Sequence, residues 1–235
     1  MTTHPVVSTE QWTLARRALL AREKEFLKMR DQLSQARRDL PWERVTGSYV
    51  FEGASGRETL ADLFGHHSQL IVYHFMFAPD WEAGCKSCSF WADNFNGVTA
   101  HLGQRDVAFA AISRAPYPKL KAFAKRLDWH FKWVSSADSD FNYDYHVSFR
   151  PVDVKAGTTR YNDAPYAGAM TDLPGLSVFF KDSDGALFHT YSTYARGLDP
   201  INAAYQLLDL VPKGRDEAEL PNPMAWVKLH DLYAA

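Results

Sequence analysis

The sequence predicts an α/β fold: a central mixed sheet flanked by helices, preceded by a long N-terminal helix and interrupted by loop insertions. Three observations lead there. Between residues 69 and 136, short runs rich in β-branched and aromatic residues alternate with amphipathic helical stretches. That is the pattern of parallel strands joined by right-handed crossovers. A strand–turn–strand segment over 173–193 then adds an antiparallel hairpin. Ahead of both, residues 8–39 carry an apolar stripe at helical spacing.

In chain order, Ser8 and Gln11 form a capping box for the first helix. Trp12, Leu19, Phe26 and Leu33 recur every seven residues along it, and Pro41 ends it. Such a helix is about 45 Å long at 1.5 Å per residue. The expected organisation is a helical arm over 1–40 and a domain with a C-terminal extension over 41–235. The arm either lies along its own domain or packs on a second copy, which would make the chain a homodimer. "GSYVFEGASGRETLADLF" reads as a short hairpin and a short helix, with glycine in the turns. "QLIVYHFMF" (69–77) reads as a buried strand, 88–103 as one helix, "VAFAAI" (107–112) as a strand and 118–127 as a helix opened by Pro118. "FKWVSS" (131–136) is a third strand, and 137–172 is rich in loops. After the hairpin, "DPINAAYQLLDL" (199–210) predicts a helix capped by Asp199, and "PMAWVKLHDLY" looks helical.

Composition narrows the function. The chain is 46% hydrophobic, enough for a core without covalent staples. A net charge of −2 leaves no basic footprint for nucleic acid. The longest apolar run, residues 70–78, is too short to span a bilayer. The N-terminus lacks a basic region followed by an apolar one, so a cytoplasmic location is expected, with no membrane partner. There is no Gly-rich phosphate loop, no His-Glu-x-x-His and no Gly-x-Ser-x-Gly. No cofactor is expected.

The chain uses cysteine twice, at Cys85 and Cys88. In a reducing compartment such a pair points to redox chemistry or metal binding. On the predicted elements Cys85 ends a loop after a buried strand, and Cys88 lies in the first turn of the next helix. Residues three apart share a helix face, so the two sulfurs can close a ring. The free N–H groups of a helix start and the cation of Lys86 favour a thiolate. Cys85, at the open end, is then the nucleophile, and Cys88 resolves the mixed disulfide. A Cys2His2 zinc spacing fails: His101 stands twelve residues after Cys88, but no second histidine follows it at the required distance. His74 or His189 could complete a metal site only from elsewhere in the fold.

This arrangement resembles the thioredoxin superfamily, which carries strand–loop–CxxC–helix and, later, a cis-proline opening a hairpin strand. "WEAGCKSC" resembles the first element, with Trp81 upstream of the cysteines, and "LPGLSVFFKDSDGALF" the second, with Pro174 in the cis-proline place. The resemblance implies a thioredoxin-like central sheet and a Pro174 that packs beside the cysteines and shapes the substrate groove. "YVFEGASGRETLADLF" is further similar to the peroxiredoxin and membrane-anchored thioredoxin branches. A closer resemblance, through "LIVYHFMFAPDWEAGCKSCSFWADNF", "AISRAPYPKL", "FNYDYHVSF", "LPGLSVFFKD" and "HTYSTYARGLD", is to an uncharacterised family of that superfamily, domain of unknown function 899. That resemblance implies a dithiol–disulfide oxidoreductase, an activity inferred for the family from its CxxC. That resemblance runs from about residue 4 to 233.

The chain departs from better-known relatives in three places. Where thioredoxins hold a buried acid, "VYHFMF" puts His74, a candidate proton shuttle for Cys88 or a structural core histidine. A peroxiredoxin Pro-x-x-x-Thr-x-x-Cys loop counted from Pro79 puts Ala83 and Lys86 at the threonine and cysteine places, so a peroxidase fits less well. Gly175 follows Pro174 where peroxiredoxins carry arginine. The expected function is therefore thiol–disulfide exchange on a protein or small-molecule disulfide or thiol. Cys85, Cys88, Lys86, His74 and Pro174 are its candidate catalytic residues, and Trp81, Gly175 and Arg196 its candidate substrate-binding residues. The alternative is a non-enzymatic binding protein of the same fold with a structural or vestigial cysteine pair. The aromatic set Trp129, Phe131, Trp133, Phe141, Tyr143 and Tyr145 would then line a ligand groove or simply pack the core.

Overall fold

The computed structural model describes residues 4–234 and divides the chain into two units, the first ending at Pro41 and the second beginning at Trp42. The first unit is helix α1 (Thr9–Arg38). Its start is fixed by the expected capping box: Gln11 N–H donates to Ser8 Oγ at 3.3 Å, and Ser8 N–H to Gln11 Oε1 at 3.1 Å. No residue of α1 is buried, and Trp12, Leu19, Phe26 and Leu33 are all exposed.

The second unit opens with β1 (Glu43–Arg44), the hairpin β2 (Val50–Gly53) and β3 (Gly56–Thr59), and α2 (Leu60–Leu63). There follow β4 (Gln69–His74), α3 (Lys86–Ala92), α4 (Phe95–Gly103), β5 (Val107–Ser113), α5 (Tyr117–Arg126) and β6 (Lys132–Ser135). The insertion holds α6 (Phe141–Asp144), α7 (Pro151–Ala156), β7 (Arg160–Tyr161) and β8 (Ala164–Pro165). The closing elements are β9 (Gly175–Lys181), β10 (Leu187–Tyr194) and α8 (Ala203–Leu208), with 3-10 turns at Ala195–Ile201 and His230–Leu232.

Eight strands form one mixed sheet in the order β1-β10-β9-β4-β5-β6-β2-β3. β4, β5 and β6 are parallel, joined by helices, while β9 runs antiparallel to β4 and β10 antiparallel to β9. This is the thioredoxin-like central sheet flanked by helices that the sequence predicts. The alternation of β4 divides the core. Tyr73 packs in one cluster with Phe75, Phe77, Cys88, Trp91 and Phe123, and Val72 in the other with Phe51, Ile112, Phe141 and Phe179. The aromatic set noted in the sequence is split the same way. Trp129, Phe131 and Trp133 join the first cluster, and Phe141 and Tyr145 the second. Tyr143 instead lies under the guanidinium groups of Arg114 and Arg150.

Three helical expectations are corrected. Residues 88–103 form two helices, because Asn94 Nδ2 takes the carbonyls of Phe90 and Trp91 at 2.9 and 3.0 Å, and these would otherwise carry the helix on. Over 199–210 a 3-10 turn precedes α8, which is capped by Asn202, its Oδ1 accepting from Tyr205 N–H at 3.0 Å, rather than by Asp199. Asp199 instead binds Arg196 and Arg215 through its carboxylate. The stretch 223–233 holds turns and one short 3-10 segment, since Pro221 and Pro223 interrupt its start. Among the described residues no helix is long and apolar enough to cross a membrane.

Candidate functional site

The site begins where β4 ends. Residues 75–84 leave the sheet and return so that Cys85 N–H donates to Met76 O at 3.0 Å. Lys119 Nζ holds this loop from α5, donating to the carbonyls of Pro79 at 2.9 Å and Trp81 at 3.0 Å. Gly84 is required by close approach: a Cβ there would lie 2.8 Å from the Phe75 ring and 2.9 Å from the Phe123 ring. The loop thus delivers Cys85 as the N-cap of α3, with Cys88 in its first turn.

Both cysteines are free, and they are not equivalent. Cys85 is half-buried and Cys88 buried. A hydrogen bond from the Cys88 thiol lowers the Cys85 pKa to about 6; burial opposes this, and the N–H groups of Cys88 and Ser87 and the Ser87 hydroxyl reinforce it. Those N–H groups face the sulfur without closing a full capping bond in the thiol form. Burial pushes Cys88 well above the usual thiol range, as does its contact with Cys85; Met76 N–H, 3.5 Å from Cys88 Sγ, opposes the shift. One thiol is therefore poised to ionise and the other to stay protonated.

Lys86 Nζ donates to the carbonyl of Ala225 at 3.1 Å, and the influences that lower Cys85 are hydrogen bonds. His74 is buried on the opposite face of the sheet from Cys88. Its ring stacks on Phe141 and Tyr145, and Nε2 meets Ser177 Oγ at 2.9 Å. Burial, with His189 nearby, lowers its pKa to about 3. His74 thus has no path to the Cys88 proton, because adjacent strand residues point to opposite faces.

Pro174 lines the same cavity as Cys88, but the described residues contain no cis peptide bond, so its bond to Leu173 is trans. The segment is held from the insertion: Tyr161 Oη donates to Pro174 O at 2.5 Å and accepts from Ala195 N–H at 2.9 Å. Gly175 opens β9 opposite His74, where a Cβ would lie 2.8 Å from Val147 and 2.9 Å from Tyr194. Trp81 packs beside the cysteine-side cluster. Arg196 lies on the cavity wall with a largely exposed side chain, paired to Asp199 at 3.0 Å. Among the described residues no three His, Cys, Asp or Glu side chains are grouped to hold a metal. His189 bonds Ser192 at 2.7 Å.

The residue that does face Cys88 is Tyr73, one position before His74. Its hydroxyl is buried beside the Cys88 sulfur without a well-formed hydrogen bond; burial and then Cys88 raise its pKa, and its approach in turn lowers that of Cys88. The two-residue period of the strand points to it once the cysteine side of the sheet is known. Arg114 is a second omission. It pairs with Asp172 through two bonds of 2.8 and 2.5 Å, and Ser148 Oγ donates to the same carboxylate at 2.6 Å. This fixes the insertion two residues ahead of Pro174. No local motif announces a pair so distant in sequence.

A thioredoxin-like sheet with two unlike thiols at a helix start defines the class of chain. It belongs to the family described as bacterial protein of unknown function (DUF899), whose model matches residues 1–233. Among solved structures it is similar to peroxidoxin BcpB from Mycobacterium tuberculosis, at 13% identity and TM-score 0.45, covering 72% of this chain and 97% of that one. It is similar also to peroxiredoxin Q from Xanthomonas campestris, at 14% identity and TM-score 0.47, covering 72% and 98%. A third is a putative thiol:disulfide interchange protein DsbE from Chlorobium tepidum, at 12% identity and TM-score 0.43, covering 72% and 95%. No curated protein sequence matches the chain.

Proposed function

We propose that the chain is a cytoplasmic dithiol–disulfide oxidoreductase in which Cys85 attacks and Cys88 resolves. The observation that carries this reading is the asymmetry of the pair at the start of α3: a half-buried sulfur facing helix N–H groups, three residues before a buried one.

The chemistry follows from the two environments. The Cys85 thiolate attacks one sulfur of a disulfide, the substrate S–S bond breaks, and a thiolate leaves and takes a proton from water. The Cys88 thiol then attacks the Cys85 sulfur of the mixed disulfide. Its proton passes to the second leaving sulfur, and an intramolecular disulfide remains. The chain loses two electrons, and the substrate disulfide becomes two thiols. The same bonds in reverse oxidise a dithiol. The burial that raises Cys88 keeps it protonated until a mixed disulfide stands beside it, which separates the two steps.

The test is reduction of insulin disulfides with dithiothreitol as electron source. Cys85→Ser should abolish turnover above the uncatalysed rate. Cys88→Ser should retain attack and accumulate a mixed disulfide on Cys85, seen by mass spectrometry. Turnover by Cys85→Ser equal to that of the native chain would sink the reading.

A further inference from the structure

A cavity of about 720 Å³ ends at Cys88 and Ser87, the two residues whose groups hydrogen-bond Cys85. Tyr73 and Cys88 stand at one end, with Ser87, which hydrogen-bonds Cys85, beside them. Its apolar wall is made by Met76, Trp91, Leu198, Tyr205, Pro223 and Met224. The far side belongs to the chain after β10, so the cavity is half-enclosed. Its volume suits a small organic molecule.

On this wall two arginines and two aspartates offset one another, and Glu217 adds one negative charge held by neutral donors. Arg215 binds Asp209 through two bonds of 2.8 Å and Asp199 at 3.1 Å, and Arg196 binds Asp199 at 3.0 Å. Glu217 Oε1 accepts from Tyr205 Oη at 2.8 Å, Trp226 Nε1 at 2.6 Å and Met224 N–H at 3.1 Å. An anionic ligand entering here would give up its hydration without gaining a free cation, since both arginines are already paired. Among the described lining residues the Tyr73 hydroxyl is buried without a well-formed hydrogen bond, its nearest polar neighbour being the Cys88 sulfur. A buried hydroxyl without a full partner is destabilising, and an acceptor atom on a ligand would relieve that cost.

We propose that this cavity is a substrate pocket for small, uncharged disulfides with apolar substituents, bound with one sulfur as the acceptor for Tyr73 Oη. The inference rests on the oxidoreductase reading and narrows its substrate. The sulfur nearer Cys85 is attacked, the S–S bond breaks, and the departing thiolate receives the Tyr73 hydrogen bond before taking a proton from water. Cys88 then closes the ring and releases the second thiol. A dithiol reductant, dithiothreitol in the assay, restores the pair.

The test uses the full chain and separates binding from chemistry. Diphenyl sulfide, an apolar thioether that cannot be reduced, is titrated against tryptophan fluorescence, since Trp91 lines the pocket. Diethyl disulfide and glutathione disulfide are compared as substrates, each rate divided by its uncatalysed rate with dithiothreitol. Saturable binding of diphenyl sulfide is expected, with a preference for diethyl disulfide of about tenfold or more. Met224→Trp, which fills the cavity, should weaken both by about tenfold, with the unfolding midpoint reporting its fold. Absence of saturable binding by the native chain overturns the pocket even where Cys85-dependent insulin reduction survives. So does equal preference for the charged disulfide. Saturable binding together with full activity of Cys85→Ser leaves the pocket standing as a ligand site and overturns the redox reading and its substrate assignment.

Discussion

At the scale of single residues, the site depends on where protons and hydrogen bonds sit. With its pKa lowered to about 6, Cys85 should be alkylated by iodoacetamide with a pH midpoint near 6 rather than at the ordinary thiol value of about 8.5. The largest cause is the bond from the Cys88 thiol, so Cys88→Ala should move that midpoint upward. A midpoint unchanged in Cys88→Ala would assign the effect to the helix N–H groups instead. Gly84→Ala tests the loop. A new Cβ at 2.8–2.9 Å from two aromatic rings must push on Phe75 or Phe123. Overpacking of this kind costs about 1–3 kcal/mol, and it should also slow the reaction of Cys85 with iodoacetamide. A variant as stable and as reactive as the native chain would show that the rings yield freely. Tyr73→Phe removes a hydroxyl that has no well-formed hydrogen bond in the reduced chain. It should leave the unfolding midpoint in urea unchanged or slightly higher, while slowing the attack of Cys85 on diethyl disulfide, the step whose departing thiolate takes the Tyr73 hydrogen bond.

At the scale of elements, α1 is the part whose sequence pattern and structure pose one question together. Trp12, Leu19, Phe26 and Leu33 recur every seven residues, and all four are exposed. A seven-residue apolar repeat is the signature of a helix that packs along another helix. The expected outcome is a dimer through α1. Light scattering should give twice the chain mass for the native protein and the monomer mass for Leu19→Lys with Phe26→Lys, with unchanged unfolding of the remainder. A native chain of monomer mass ends the idea. The helix itself was legible because its signals are local: a capping box, a stripe and a terminating proline. β4, β5, β6 and the closing hairpin were legible for a similar reason, as compact β-branched and aromatic runs. The breaks were not. Asn94 ends α3 by folding its side chain back on two carbonyls, and Asn202 takes the capping role that the Asp-Pro pair suggested for Asp199. Such choices depend on contacts with distant residues, here Ala203 donating to Asn94 Oδ1 at 3.0 Å. At the site, the spacing of Cys85 and Cys88 was enough to place both on α3. The facing of His74 and Tyr73 was not, because a strand's period is visible in sequence but the side that meets the cysteines is decided by tertiary packing.

At the scale of the whole molecule, His74 and Cys85 make stability depend on pH in two separate windows. His74 has a folded pKa of about 3 against about 6.5 in an unfolded chain. Between those values the unfolded state holds a proton that the folded state refuses. Stability is therefore full above about pH 6.5 and falls as the pH drops toward 3. For Cys85 the folded value is about 6 against about 8.5 unfolded. Its contribution is present above about pH 8.5 and is lost as the pH falls through 6. The reduced chain should thus gain stability steadily from about pH 3 to 8.5, with different residues carrying the two halves. Urea midpoints measured across that range should show His74→Gln flattening the part below about pH 6.5, since an amide there can still meet Ser177 without taking a proton. Cys85→Ser should flatten the part above pH 6. Oxidation to the Cys85–Cys88 disulfide should remove the upper part as well, because no thiol is left to ionise. The native slope persisting below pH 6.5 in His74→Gln would move its origin to other groups. An upper slope that survives both Cys85→Ser and oxidation would mean that the Cys85 thiolate is not stabilised by the fold, and the asymmetry on which the exchange chemistry rests would go with it.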